Sequence, residues 1–150
     1  MRNVSWVLVC VLLGTSGVVA QSGTAADVWT VNAEAARGKT ENGGTWRLSA
    51  NTGTLTLEQK GSAINGSWKG RLPETWPLTG QLTGDTIELK SAMREVPAVK
   101  DGAKTTVPRR LAFRGTVKGD TMTGQLSFES DRGDGRSQKF TATRQPPAKP

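Results

Sequence analysis

The chain of 150 residues contains no histidine, no tyrosine and a single cysteine, Cys10. Without histidine there is no Ser-His-Asp triad, no His-containing zinc site and no imidazole proton shuttle. Any catalysis would fall to Asp, Glu, Lys, Arg, Ser or Thr, and these form no visible constellation, so the sequence reads as a non-enzyme with no metal and no cofactor. Long apolar runs are also scarce. The clearest, residues 4 to 13, follows Arg2 and precedes Val18-Val19-Ala20, the layout of an export signal cleaved before Gln21. It is too short to span a bilayer comfortably, and an uncleaved N-terminal anchor is the competing reading. Removal of residues 1 to 20 takes away Cys10 and leaves no transmembrane span. The remaining length can bury enough surface to hold without disulfides. A periplasmic or secreted bacterial protein is therefore expected, with residues 21 to 26 as an N-terminal arm, 27 to 144 as one domain and 145 to 150 as a disordered Pro-rich tail.

Positive charge is in excess: Lys+Arg 20 against Asp+Glu 13 gives +7, and loss of Arg2 with the signal leaves +6. Such a balance favours acidic surfaces, whether lipid head groups, glycans or nucleic acid, and points to no specific nucleic-acid recognition. The cations concentrate between residues 90 and 110, where Lys90, Arg94, Lys100, Lys104, Arg109 and Arg110 outnumber Glu95 and Asp101. The plain reading of this stretch is a solvated loop. Residues 91 to 108 are the longest segment without a clear pattern.

Elsewhere apolar residues fall on every second position, the period of a half-buried strand. Leu55 and Leu57 lead through Lys60-Gly61-Ser62 to Ile64, Gly66 and Trp68. Leu78, Gly80 and Leu82 lead through Gly84-Asp85 to Ile87 and Leu89. Leu111, Phe113, Gly115 and Val117 lead through Gly119-Asp120 to Met122, Gly124, Leu126 and Phe128. Each reads as a hairpin with a glycine-bearing turn. The last two share their spacing residue for residue, and repeated turn chemistry repeats the register. Trp29, Val31, Ala33 and Ala35 alternate as in a strand, with an Ala-rich helix as the competitor over residues 27 to 36. With Trp46, Leu48 and Phe140 added, the inward set predicts an all-β, up-and-down antiparallel barrel of about eight strands, monomeric, whose interior is packed or shallow. The glycines on its inner face, Gly66, Gly80, Gly115 and Gly124, are expected to mark sharp bends.

This arrangement resembles the lipocalin and avidin-like barrels, whose first strand carries Gly-x-Trp. Here that element would be Gly44-Thr45-Trp46, and the resemblance implies that Arg144 on the last strand packs over Trp46 at the closed end. The tyrosine-rich ligand set of avidins has no counterpart. Residues 78 to 89, 113 to 128 and 140 to 144 are also similar to small exported bacterial modules that repeat Leu-x-Gly-x-Val-x-Gly-Asp-x-Ile and end in Phe-Thr-Ala-x-Arg. That likeness implies the fold and carries no activity.

The candidate binding residues follow. Trp76, between Pro73 and Pro77, is the best-placed tryptophan for an exposed anchor, with Arg94, Lys100, Lys104, Arg109 and Arg110 beside it at the barrel mouth, for a small apolar ligand or an acidic glycan. Trp46 and Trp68 share the inward parity and are expected in the core. Asp85 and Asp120 read as turn carboxylates. A second reading makes the protein an exported lipocalin-like inhibitor of proteases whose N-terminal arm enters an enzyme cleft.

Overall fold

The computed structural model describes residues 24–132 and 135–147. Residues 1 to 23, on which the expected export signal and the start of the expected arm fall, residues 133 and 134, and residues 148 to 150 of the expected tail lie outside them. The strands are β1 (Asp27–Ala33), β2 (Ala36–Lys39), β3 (Thr45–Leu48), β4 (Asn51–Lys60), β5 (Ala63–Lys69), β6 (Trp76–Thr83), β7 (Thr86–Lys90), β8 (Arg94–Lys100), β9 (Ala103–Lys118), β10 (Thr121–Glu129) and β11 (Gly135–Arg144). Pairing runs β10-β11-β1-β4-β5-β6-β7-β9 and returns from β9 to β10, so these eight strands close into an antiparallel barrel in up-and-down order. Residues 27 to 33 are strand, which settles the competition with a helix.

The expected alternation is realised in the barrel strands, whereas Trp46 and Leu48, expected inward, lie half-buried in the β2–β3 hairpin outside the barrel. Leu55, Leu57, Ile64, Trp68, Leu78, Leu82, Ile87, Leu89, Leu111, Phe113, Val117, Met122, Leu126 and Phe140 all join one buried cluster, with Phe128 packed against it. Phe113 stands at its centre, with Trp68 and Phe140 edge-on at 5.4 Å between ring centroids. Trp29, Val31, Trp76 and Ala142 complete the filling. A ring this small must coil tightly, and the inner-face glycines show where. A Cβ on Gly80 would run into the Glu88 carbonyl oxygen of the neighbouring strand, and one on Gly124 into that of Arg114. Gly124 also faces Gly115 directly across the β9–β10 seam. At these points the backbones approach so closely that any side chain would push the sheet open.

The barrel has two unlike ends. The turns after β4, β6 and β9, with the start of β1 and the end of β11, make the floor. The rim carries the β2–β3 hairpin, the loop of residues 70 to 75, the β8–β9 hairpin and the β10–β11 connection.

The floor is held by Arg144, as the resemblance implied, but over a different tryptophan. Its guanidinium lies 4.4 Å from the Trp29 ring centroid. Nε donates to Asp120 (3.0 Å), Nη1 to Asp27 (2.7 Å) and to the Ala26 carbonyl, and Nη2 to the carbonyls of Thr24 (2.8 Å) and Gly119 (3.3 Å). All five donors of the group are used. The Trp29 indole N–H reaches the Ala25 carbonyl at 3.0 Å, and the Ala25 amide reaches Gln59 at 2.8 Å, so residues 24 to 27 are sewn across the floor.

Gly44-Thr45-Trp46 lies elsewhere. Gly44 closes the β2–β3 turn through the Thr40 amide at 2.7 Å, and Trp46 lies half-buried across from Gly38 in that hairpin, outside the barrel. The residue two before the floor tryptophan is Asp27, whose φ of 128° is a conformation that favours glycine. Its bond to Arg144 holds it there.

Two outcomes follow. Arg144→Ala should cost about 3 kcal/mol in urea unfolding, through lost hydrogen bonds and the lost cation–π contact, and Arg144→Lys should recover less than half. Asp27→Gly should be less destabilising than Asp27→Ala by about 1 kcal/mol, because glycine alone relieves the backbone. Equal losses for the two Asp27 variants would refute strain there.

Candidate functional site

The interior is filled by its own side chains, which leaves the outer surface and the two ends of the barrel open to a ligand. A surface recess of about 480 Å3 is lined by Thr79, Gly80, Gln81, Glu88 and Lys90 on the outer wall. Another, about 320 Å3, lies over Gly124, Gln125, Lys139 and Phe140, also outside. Of the cationic stretch only Lys90 lines either recess, and Trp76, Arg94, Lys100, Lys104, Arg109 and Arg110 line neither.

The segment of residues 91 to 108, expected as a solvated loop, is instead mostly a two-stranded ribbon. β8 and the first half of β9 pair from Arg94↔Arg109 to Lys100↔Ala103 around Asp101-Gly102. Both turn residues have positive φ, 52° and 78°, the type I′ geometry that suits the twist of a hairpin. The ribbon was missed because it has no buried face along most of its length, so period-two hydrophobicity is absent. The Asp-Gly turn between Val96, Val99 and Thr105, Thr106, Val107 was the signal that could have found it.

Three sets of contacts fix the ribbon to the barrel. The Ser91 amide donates to the Leu111 carbonyl (2.9 Å), and the Leu111 amide to Ser91 Oγ (2.9 Å). Arg94 lies 5.1 Å from the Trp76 ring centroid and donates to the Thr75 carbonyl (3.1 Å), with Glu74 at 3.6 Å. Val96 packs against the core. Where β9 leaves the ribbon and joins the barrel wall, Glu129 receives Arg110 Nε at 3.1 Å, Arg114 Nη1 at 2.8 Å and Ser127 Oγ at 3.3 Å. Burial alone would raise the Glu129 pKa. The bonds from Arg114 and Arg110, the charge of Arg114 and the bond from Ser127 outweigh it and hold the carboxyl below its ordinary value of 4.5.

The structure therefore divides the candidate residues. Trp76 is buried, 2% exposed, and does not serve as an exposed anchor. Its inward parity with Leu78 and Leu82 outweighs the flanking prolines, and Arg94 covers it. Trp68 is in the core as expected, its ring lying over Gly53 and Gly70. Arg110 is committed to Glu129. Lys100, Lys104 and Arg109 stand along the ribbon, and among the described residues none of the three takes part in an ion pair. Asp120 is tied to Arg144, and Asp85 supplies its backbone carbonyl to the Val117 amide. Thr24, Ala25, Ala26 and Asp27, at the end of the arm, lie against the floor, at the opposite end from the ribbon. Among the described residues no three acidic side chains gather at one point.

The two open edges of the ribbon are guarded. In a hairpin with a two-residue turn the closing pair is hydrogen-bonded, so Arg94, Val96, Ala98 and Lys100 bond inward to β9. The outward positions are then Glu95, Pro97 and Val99 on β8, and Lys104, Thr106 and Pro108 on β9. Each edge has a proline where an outward amide would invite a further strand. The ribbon thus presents side chains, and no continuous row of open backbone groups, along both edges. No protein-family model, curated protein or solved structure matches the chain.

Glu129→Gln should destabilise the protein by about 2 kcal/mol at neutral pH, since it removes the charge that pairs two arginines. A lowered carboxyl pKa contributes stability above the ordinary glutamate range that is lost as pH falls through the folded value. The gap between wild type and Glu129→Gln should therefore shrink below about pH 4, in thermal unfolding followed across pH. An undiminished gap at pH 2 would contradict this.

Proposed function

We propose that this is an exported, non-catalytic module of the lipocalin- and avidin-like kind that binds an acidic, multiply charged surface through the rim of its barrel. The observation that carries the reading is the uneven distribution of charge. The floor has Lys60, Lys118 and Arg144 against Asp27, Glu58, Asp85 and Asp120, and is close to neutral. The rim bears the excess of cations. Of these, Lys100, Lys104 and Arg109 project on a ribbon whose root is anchored by Ser91, Arg94, Val96 and Glu129.

A charged ribbon held in one conformation loses little freedom on binding, and a field concentrated at one end steers an acidic partner to it. The filled interior disfavours a ligand held inside the barrel. The position of Thr24, Ala25, Ala26 and Asp27 on the floor gives no support to an inhibitory arm acting beside the ribbon. Export rests on the N-terminal sequence pattern, and the bacterial lean on the absence of cysteine after it.

Lys100→Glu/Lys104→Glu and Lys60→Glu/Lys118→Glu change net charge equally, the first at the ribbon and the second at the floor. On an immobilised acidic polysaccharide at low salt, the ribbon variant should bind roughly tenfold more weakly than wild type, and the floor variant should stay near wild type. Equal losses would reduce the reading to net charge, and no retention of wild type would refute it.

A further inference from the structure

Among the described residues the large apolar side chains left exposed are Leu72, Met93 and Val99, at 49%, 37% and 72%. All three lie at the rim. Leu72 is in the loop between β5 and β6, Met93 at the root of the ribbon and Val99 near its tip. The end of the molecule that concentrates positive charge is therefore also the end that leaves apolar side chains in water. A soluble polyanion needs only the charge. Cations interleaved with exposed apolar side chains match a bilayer with anionic lipids, where the two act at different depths.

We infer that the tip of the β8–β9 ribbon docks on an anionic lipid bilayer, with Val99 entering the boundary of the acyl region and Lys100 and Lys104 meeting lipid phosphates. This deepens the rim-binding reading and rests on it. Val99 and Lys104 are cross-strand partners on one face, and Lys100 is next in the chain. The apolar side chain thus stands directly beside a long cation whose stem can lie in the interface while its ammonium stays at head-group level. The seven residues of β8 from Arg94 to Lys100 carry the tip roughly 20 Å beyond the ribbon root, far enough to reach a surface while the barrel remains in water.

The barrel wall supports this placement. Its outward positions include Thr54, Thr56, Glu58, Thr79, Gln81, Glu88, Arg114, Thr116, Gln125 and Thr143, the reverse of the apolar outer band of a membrane-spanning barrel. No helix among the described residues is long and apolar enough to cross a membrane. Asp101 at the turn is the acidic group nearest the tip, and its positive φ shows it serving the turn.

The test uses the chain from Gln21 onward, which contains every strand of the barrel, with vesicles of phosphatidylcholine alone or mixed with phosphatidylglycerol, and the acidic polysaccharide in parallel. Wild type should sediment with the mixed vesicles and not with phosphatidylcholine alone. Val99→Ser should lose about fivefold in vesicle affinity with polysaccharide retention unchanged, and Val99→Leu should gain. Lys100→Glu/Lys104→Glu should lose both. Polysaccharide binding without vesicle binding, or vesicle binding indifferent to Val99→Ser, would overturn the bilayer as partner while leaving the rim reading standing. Loss of neither activity in the double lysine variant would remove both.

Discussion

Close approach of neighbouring backbones at Gly80, Gly115 and Gly124 is the constraint on which the rest of the structure depends. An antiparallel sheet of eight short strands closes on itself only if it coils sharply, and these positions permit it by carrying no side chain toward the adjacent carbonyl. Closure then fixes what the inside can be. The ring is so narrow that Trp29, Trp68, Trp76, Phe113 and Phe140, with the aliphatic residues around them, occupy it. A barrel that fills itself offers its outside, and its ends are what distinguish one part of that outside from another.

The two ends are built on opposite principles. On the floor, Arg144 spends its five donors and its planar face on Trp29, Asp27, Asp120 and the carbonyls of residues that precede or follow them in the ring. The two charges it meets, Asp27 and Asp120, are both paired to it. At the rim, Glu129 pairs with both Arg110 and Arg114 at the ribbon root and Glu74 meets Arg94, while among the described residues Lys100 and Lys104 farther out form no ion pair. The same chemistry that rigidifies the root leaves the tip charged, so that along a single hairpin Arg94 and Arg110 are paired at the root while Lys100 and Lys104 project at the tip.

Much of the barrel was legible because its signal is binary. Leu78, Leu82, Ile87, Leu89, Phe113, Val117, Met122 and Leu126 fall on the face that their period-two spacing assigns, and the paired Gly-Asp turns fix their register. The floor was half legible: Arg144 was identified, but its partner was sought at Gly44-Thr45-Trp46. Trp29 was hidden because Asp27 stands where a glycine would have announced it, and nothing in sequence shows that a salt bridge can hold aspartate at positive φ. The ribbon escaped for the converse reason. It is a regular element with no core to face, so hydrophobic patterning is silent there and only its turn speaks. Trp76 shows the limit of local context, since the prolines around it suggested exposure while its parity with Leu78 placed it inside.

Closure with a filled interior, and a free-standing ribbon outside it, can be read together by native-state hydrogen exchange resolved at each amide. The amides bonded across all eight seams, those between Thr30 and Thr143 and between Arg114 and Gln125 included, should exchange in one slow group. The outward amides of Glu95, Val99, Lys104 and Thr106 should exchange at nearly unprotected rates. Early exchange along the β1–β11 or β9–β10 seam would instead mean an open sheet with an accessible inner face, and the account of a self-filled barrel would fail.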